Sequence, residues 1–391
     1  MPFVFPKCDT MTQESTNQTN TIIIGASAAG LAVGACLQEQ KIPFIMLEKS
    51  SQVGSAWRNH YDRLHLHTDR GHSQLPGLPM PKSYARYPAR AQVVAYLEEY
   101  ARHFGLTPRF GQEVRAVVPQ DGGWQVETQD NRYQAPHVVV ATGYTRVPHV
   151  PTWPGQELFP GSMIHSSAYK NGKPYAGQRV LVVGFGNSAG EIAIDLVEQG
   201  AAEVAMAVRH AVNVIPRDYL GIPILSIGIV MDKIPPQLAD VLAVPMLKTS
   251  VGDLTKYGLP KLPYGPNVQI RQDRQIPILD IGTVKLIKNG RIRIHPGIER
   301  FNENGVLFDD GTIKPFDAII LGTGYRPQVN DFLQNVPGVL DENGVPQASG
   351  TEAVPGLYFC GFHVSPTGML REIGLEARRI SLHIAGKGSR V

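Results

Sequence analysis

At 391 residues the chain exceeds the ~100–200 residues of a usual domain, so it implies two domains, or one domain carrying a large insertion. With 42% hydrophobic and 18% charged residues the composition is globular, which excludes a disordered or collagen-like chain for the bulk of the sequence. Thirty-seven basic against 34 acidic residues leave a net charge of +3, too even for a nucleic-acid footprint or a polybasic membrane surface, so small-molecule partners are expected.

Residues 1–19, rich in Thr, Gln and Asn, read as a loose tail without the basic and apolar regions of an export signal. The β-branched run Thr21–Ile24 predicts a strand ending at Gly25, Ala28–Gln40 a helix, and Phe44–Leu47 a second strand closing on Glu48. Val93–Phe104 reads as a helix, Trp124–Glu127 as a strand, and His137–Ala141 as a buried strand stopped by Thr142-Gly143. The βαβ grammar then recurs: strand Arg179–Val183, Gly184, a helix to about Gln199, and strand Val204–Val208 ending on Arg209. Tyr219–Met231 is the longest apolar run, but at 13 residues with Pro223 inside it falls short of the ~20 needed to span a membrane, and reads as buried core or pocket lining. Asp317–Leu321 is a second buried strand stopped by Gly322-Thr323-Gly324. The expected fold is α/β with two Rossmann-like dinucleotide-binding domains, the second inserted into a discontinuous first: 20–170 with 283–391, and 171–282.

A dinucleotide fingerprint needs glycine for a tight turn, for close approach of the pyrophosphate and for helix packing. Gly25-Ala26-Ser27-Ala28-Ala29-Gly30 meets this except at Ser27, which replaces the middle glycine with a hydroxyl able to donate to a phosphate. Glu48, 23 residues after Gly25, stands where a carboxylate accepts ribose hydroxyls. The second copy, Gly184-Phe185-Gly186-Asn187-Ser188-Ala189, is a regular GxGxxA, and Arg209-His210 at the end of its second strand suit a 2′-phosphate, which favours NADPH over NADH.

His60, His65, His67 and His72, with Asp62 and Asp69, crowd one short stretch; a polar hydrogen-bonded loop is the expected reading, and no metal is assigned. Cys8, Cys36 and Cys360 contain no CxxC pair, which argues against a disulfide framework or thiolate zinc site and for a reducing, cytoplasmic setting. No GxSxG, HExxH or Walker lysine motif supports hydrolysis or phosphoryl transfer. Two dinucleotide sites without a cysteine pair imply a flavin that passes electrons to something other than a disulfide.

Between the two fingerprints, Phe159-Pro160-Gly161-Ser162-Met163-Ile164-His165-Ser166-Ser167-Ala168-Tyr169 resembles the FxGxxxHxxxY identifying sequence of flavin-containing monooxygenases. The resemblance runs nearly the whole chain and is strongest to the plant YUCCA-like branch, through Tyr61-Asp62-Arg63-Leu64, Tyr87-Pro88, Leu279–Thr283 and Thr323-Gly324-Tyr325. It implies FAD in the first domain, NADPH in the inserted one, and molecular oxygen activated as a flavin C4a-hydroperoxide. It implies substrates that are soft nitrogen or sulfur nucleophiles or indole-type compounds; a flavin-dependent NADPH oxidase releasing hydrogen peroxide is the alternative. Carried residue by residue, the FAD set is Gly25, Ser27, Gly30, Glu48, Trp57, Arg58 and Ala141-Thr142-Gly143, with Gly361, Met369 and Leu370 closing over the flavin; Lys49, Val114 and Thr323-Gly324 are expected to be cofactor-binding as well. The NADPH set is Gly184, Gly186, Asn187, Ser188, Ala189, Arg209 and His210. Where many family members place an asparagine near the reactive flavin edge, this chain has His67, whose neutral imidazole is the expected catalytic donor. A homodimer is left open.

Overall fold

The computed structural model describes residues 17–387. Along the chain, β1 (Thr21–Ile24), α1 (Ala28–Glu39) and β2 (Phe44–Leu47) form the first βαβ unit, followed by α2 (Ser55–Arg58), α3 (Arg90–His103) and β3 (His137–Val140). β4 (Ser162–His165) leads to the second unit, β5 (Arg179–Val183), α4 (Asn187–Glu198) and β6 (Glu203–Ala207). Helices α5 (Ile224–Met231), α6 (Pro236–Ser250), α7 (Pro266–Asp273) and α8 (Thr283–Lys288) follow, then β7 (Arg293–His295), β8 (Ala318–Leu321), β9 (Glu352–Val354), β10 (Leu357–Phe359) and α9 (Met369–Ile384). α3 starts three residues ahead of the sequence expectation because Gln92 Oε1 accepts a hydrogen bond from the Ala89 amide at 3.0 Å, satisfying a donor at the helix entry.

Two five-stranded sheets carry these elements. The first has the order β2-β1-β3-β10-β9 and is parallel except at the edge strand β9. The second has the order β7-β6-β5-β8-β4 and is parallel throughout. Parallel strands covered on both faces bury every side chain, and β1 and β8 are buried at all four positions. In each sheet the fingerprint leaves β1 or β5, flanked on one side by the next strand of its unit, β2 or β6, and on the other by a strand from much later in the chain, β3 or β8, the switch point at which open α/β sheets bind ligands. The repeat is deeper than βαβ: an antiparallel three-stranded meander precedes β3 (residues 116–135), and another precedes β8 (residues 298–314).

Three expectations are corrected. β4, β7 and β8 fall in the segments assigned to the first domain, 20–170 and 283–391, yet all three pair in the second sheet. The apolar strand β8 is buried between β5 and β4, so strand membership of the second sheet runs from 162 to 321 rather than 171 to 282. Residues 1–16 of the supposed tail lie outside the described residues, while Asn17–Thr19 are held by Gln134, whose amide donates to Asn17 O at 3.1 Å and whose carbonyl accepts from Thr19 N at 3.3 Å. The apolar run Tyr219–Met231 is neither wholly core nor wholly lining: Leu225 is buried, but Leu220 and Val230 are 85% and 64% exposed. No helix among the described residues is long and apolar enough to cross a membrane.

The two copies differ in how helix meets strand. A Cβ at Gly30 would stand 1.9 Å from Gly25 O, so the first copy admits only glycine there. The second copy holds the buried Ala189, and the residue opposite is Gly322, where a Cβ would come within 2.7 Å of the Ala189 methyl. Gly322→Ala is therefore expected to destabilise the protein by about 1–3 kcal/mol through overpacking. The double variant with Ala189→Gly should recover part of that loss in thermal unfolding, which an unrelated cause of destabilisation would not produce.

Candidate active site

Gly25 has φ +106°, and a Cβ on it would meet Ala141 O at 2.7 Å; both sterics and backbone angle demand glycine. Ser27 differs: its φ of −104° and ψ of −161° are extended, as are the −107° and 176° of its counterpart Gly186. A Cβ placed on Gly186 would meet no atom within 4 Å, so the middle fingerprint residue needs open space and not a glycine-only conformation. Ser27 fits without strain, and its hydroxyl makes no helix-cap bond that would withhold it from a ligand.

A cleft of about 300 Å³ opens above this turn. The expected residues Gly25, Ser27, Glu48, Lys49, Val114, Ala141 and Thr142 line it. Glu48 is 5% exposed, its Oε2 accepting from Ala26 N at 2.7 Å and its Oε1 from Ser50 N at 2.9 Å, which fixes the carboxylate and leaves lone pairs for two ribose hydroxyls. Thr142 Oγ1 is buried without a protein partner, as expected of a group that meets a ligand. This donor and acceptor set fits a dinucleotide. Ser55 and Gln112, which carried no motif signal, also line the cleft, together with His60, Ser167 of the linker motif and Tyr325. Burial first, then the Lys170 and Arg90 charges, push the His60 imidazole below its usual value and keep it neutral.

Other expected members lie elsewhere. Trp57 packs against the first core, and Arg58 pairs with Glu98 at 2.5 Å and donates from Nε to Val53 O at 3.0 Å. On the single turn of α2 the cleft face belongs to Ser55 and Asn59 and to Ala56 and His60, pairs spaced four apart, so Trp57 and Arg58 point away. Thr323 and Gly324 tie β8 to the linker: Thr323 Oγ1 donates to His149 O at 2.5 Å, and His165 Nε2 lies 3.0 Å from Gly324 O. Leu370 is 6% exposed within the first core and Gly361 packs over Ala29, a Cβ there standing 3.2 Å from the Ala29 methyl. Gly143 takes φ +69° in the turn after β3. Met369 alone of the closing set faces a cavity.

In the second cradle Gly184 repeats Gly25, with φ +107° and a would-be Cβ 2.6 Å from Gly322 O. Asn187 and Ser188 open α4, and Asn187 Oδ1 accepts from Leu279 N at 2.9 Å, holding the later segment against the turn. Counting from the first glycine, Ala207 falls where Glu48 stands in the first copy, and Arg209 comes two residues later. Arg209 and His210 are exposed, and neither makes an ion pair among the described residues. A site that swaps a carboxylate for alanine and adds a free guanidinium fits a phosphorylated ribose.

The segment between the fingerprints acts as a clasp. A Cβ at Gly161 would lie 2.3 Å from Asp317 O, His165 bonds the turn after β8, and Tyr169 OH donates to Asp195 Oδ2 on α4 at 2.6 Å. The same oxygen accepts from Gly172 N at 2.8 Å, and burial followed by Asp195 pushes the Tyr169 phenol well up.

His67 reaches neither fingerprint turn. Its Nε2 lies 2.5 Å from Glu191 Oε1 of α4, a carboxylate 1% exposed whose Oε2 has no partner. With Nε2 engaged by Glu191, only Nδ1 is left for another partner; it accepts in a neutral ring whose proton lies on Nε2 and donates in the other tautomer. Burial and then the Glu191 charge raise the nearby Tyr61 phenol well above its usual value. The other histidines diverge, His65 to Arg63 O and His72 to Asp69, and no three potential metal ligands converge among the described residues. His67 borders a second, apolar cavity of about 410 Å³, whose walls include Asn187, Ile224, Leu279 and Met369 and so join both units.

Residues 22–219 match the family described as pyridine nucleotide-disulphide oxidoreductase. The chain is 38% identical over 350 residues to the probable indole-3-pyruvate monooxygenase YUCCA1 of Arabidopsis thaliana, covering 87% of this chain and 84% of that protein. It is also 38% identical over 349 residues to the indole-3-pyruvate monooxygenase YUCCA1 of Oryza sativa subsp. japonica, covering 87% and 86%. Among solved structures, a flavin-containing monooxygenase from Stenotrophomonas maltophilia shares the fold with a TM-score of 0.72 at 24% identity, over 95% of this chain and 99% of that one. A disulfide-reducing role has no support in the described cysteines: Cys36 and Cys360 are buried in the first core, and burial first pushes the Cys36 thiol up to about 12.

Two outcomes test this geometry. Ser27→Gly should retain bound flavin through purification, read from its visible absorbance, because the backbone is already extended; loss of flavin would mean that the serine hydroxyl holds a phosphate. Tyr169→Phe should lower stability by about 1–3 kcal/mol in thermal unfolding, since it deprives a buried carboxylate of a donor.

Proposed function

Because the chain belongs to the flavin monooxygenase family and has YUCCA-like relatives, we propose that it is an NADPH- and O2-dependent monooxygenase of soft nitrogen or sulfur nucleophiles or indole-type compounds. One oxygen atom of O2 enters the substrate and the other leaves as water, with two electrons from NADPH and one proton from solvent completing the balance. FAD bound in the first cradle supplies the reductive activation of oxygen. The observation that carries the reading is the apolar cavity bounded by His67 and Met369 of the first unit and by Asn187 and Leu279 of the second, a substrate-sized space where the first unit meets the second dinucleotide cradle.

The chain's own residues then take distinct tasks. Glu48 holds the FAD ribose, and the α1 amides with Ser27 hold its pyrophosphate. Gly186 leaves room for the NADPH pyrophosphate at the start of α4, and Arg209, aided by His210, binds the 2′-phosphate. His67, oriented by Glu191, receives or returns a proton at Nδ1 on the cavity wall, and the apolar wall excludes water. The NADPH-binding part is inserted in a discontinuous FAD-binding part. An NADPH oxidase with the same cradles would consume cofactor equally with or without substrate, so the deciding assay is oxygenated product formed per NADPH consumed.

Arg209→Ala should reduce the preference for NADPH over NADH by roughly 10- to 100-fold, since a charge-assisted contact to phosphate is worth about 1.5–3 kcal/mol. Flavin reduction rates with both cofactors measure it; an unchanged preference places the phosphate on another cation. His67→Ala should leave flavin reduction by NADPH nearly intact while raising hydrogen peroxide released per NADPH. Unchanged peroxide release in a folded, flavin-loaded variant removes His67 from oxygen chemistry.

A further inference from the structure

We propose that Asp309 works against Arg209 in the choice of coenzyme: its carboxylate stands at the same ribose, accepts the 2′-hydroxyl of an unphosphorylated coenzyme and opposes a 2′-phosphate, which narrows the preference for NADPH over NADH. The inference rests on the reading of the second cradle as the nicotinamide coenzyme site and adds the residue that limits its selectivity.

The likeness of the two units locates the place. Val208 N donates to His295 O at 2.8 Å, as Glu48 N donates to Arg109 O at 3.0 Å in the first unit. Two residues further on in each, Gly297 corresponds to Gly111, and directly after Gly111 the residues Gln112, Glu113 and Val114 line the first dinucleotide cleft. Gly297 therefore borders the ribose end of the second cradle, beside the end of β6 that leads to Arg209.

Asp309 is brought to this point by the last turn of the second meander, where its N donates to Gly297 O at 2.9 Å. A Cβ on Gly297 would lie 2.3 Å from Asp309 Oδ2 and 3.3 Å from Arg209 Cγ, so the carboxylate and the stem of the guanidinium side chain lie over one glycine. Any larger residue at 297 would displace the carboxylate. The neighbouring Asp310 is occupied in the turn, accepting from Thr312 N at 3.0 Å and from Thr312 Oγ1 at 2.7 Å. Asp309 makes no side-chain hydrogen bond or ion pair among the described residues, although Arg209 stands beside it. Its lone pairs are open to a ribose hydroxyl. A phosphate monoester carries a charge of about −1.5 to −2 at neutral pH, so one that reaches Arg209 here also meets a like charge. Both side chains are exposed, and solvent and salt hold the effect to a few fold.

NADP⁺ and NAD⁺ differ only by that phosphate and bind without turnover. Each is titrated calorimetrically, at low ionic strength, into the flavin-loaded wild type and the flavin-loaded Asp309→Asn variant. The substitution should raise the ratio of NADP⁺ to NAD⁺ affinity at least 3-fold, and it should do so again in an Arg209→Ala background. An unchanged or lowered ratio overturns the proposal. A gain that vanishes without Arg209 also overturns it, because Asp309 would then act only by restraining the guanidinium. Asp309→Ala, which removes the acceptor, should weaken NAD⁺ binding at least 3-fold; undiminished binding overturns the contact to the hydroxyl. If neither nucleotide binds the wild type, the coenzyme reading itself fails, whereas binding of both with an unmoved ratio defeats the role of Asp309 alone.

Discussion

Everything at this site depends on a backbone carbonyl pressed against a glycine. At the end of β1, Gly25 turns under Ala141 O, and at the end of β5, Gly184 turns under Gly322 O, with would-be Cβ distances of 2.7 and 2.6 Å. That approach lets the strand end, the turn and the following helix converge, and it aims the first amides of α1 and α4 at the crevice above each sheet. A side chain at either glycine would push the neighbouring strand away and open the cradle. The contact also couples the fingerprint to a strand more than a hundred residues further on, so each cradle forms only when its sheet is complete.

The two copies are variations on one solution. The first keeps glycine at the helix contact because Gly25 O fills the space, and the second accepts Ala189 by removing the side chain opposite, at Gly322. The first places a buried Glu48 at its second strand end, held by two amides; the second replaces it with the small Ala207 and sets a guanidinium beyond. Steric needs are met in both, and the charge at the ribose end is what separates them. The meanders before β3 and β8 extend the correspondence through a region whose side chains show no common motif.

Between the cradles the protein uses its buried polar groups to hold the units together. Tyr169 and Asp195 fasten the linker to α4, and His67 and Glu191 join a loop of the first unit to the same helix. A buried carboxylate left without such partners would be costly, so each pair constrains the geometry around it. The cavity lies on the far side of the second pair, walled by α5 to α7 and closed by Met369, and its apolar lining follows from helices that turn aliphatic side chains inward while Val230, Leu238 and Val241 remain exposed.

Local order is what the sequence by itself determined: the strand-glycine-helix turns, the acid or base after the second strand, and the linker motif, because each rests on sterics or capping within a few residues. Helix α9, with Leu370, Ile373, Ala377 and Ile380 at helical spacing, was not among the elements read from the sequence, because no chemical motif draws attention to it. Only the tertiary structure decided which way those residues face. Arg58 turns to Glu98 and away from the cleft, His67 finds Glu191 across 124 positions, and β4, β7 and β8 join the second sheet although the motif boundaries put them in the first. Such partners are chosen by packing between distant segments, where the burial of an apolar strand or the pairing of a buried charge outweighs any preference written in the neighbouring residues.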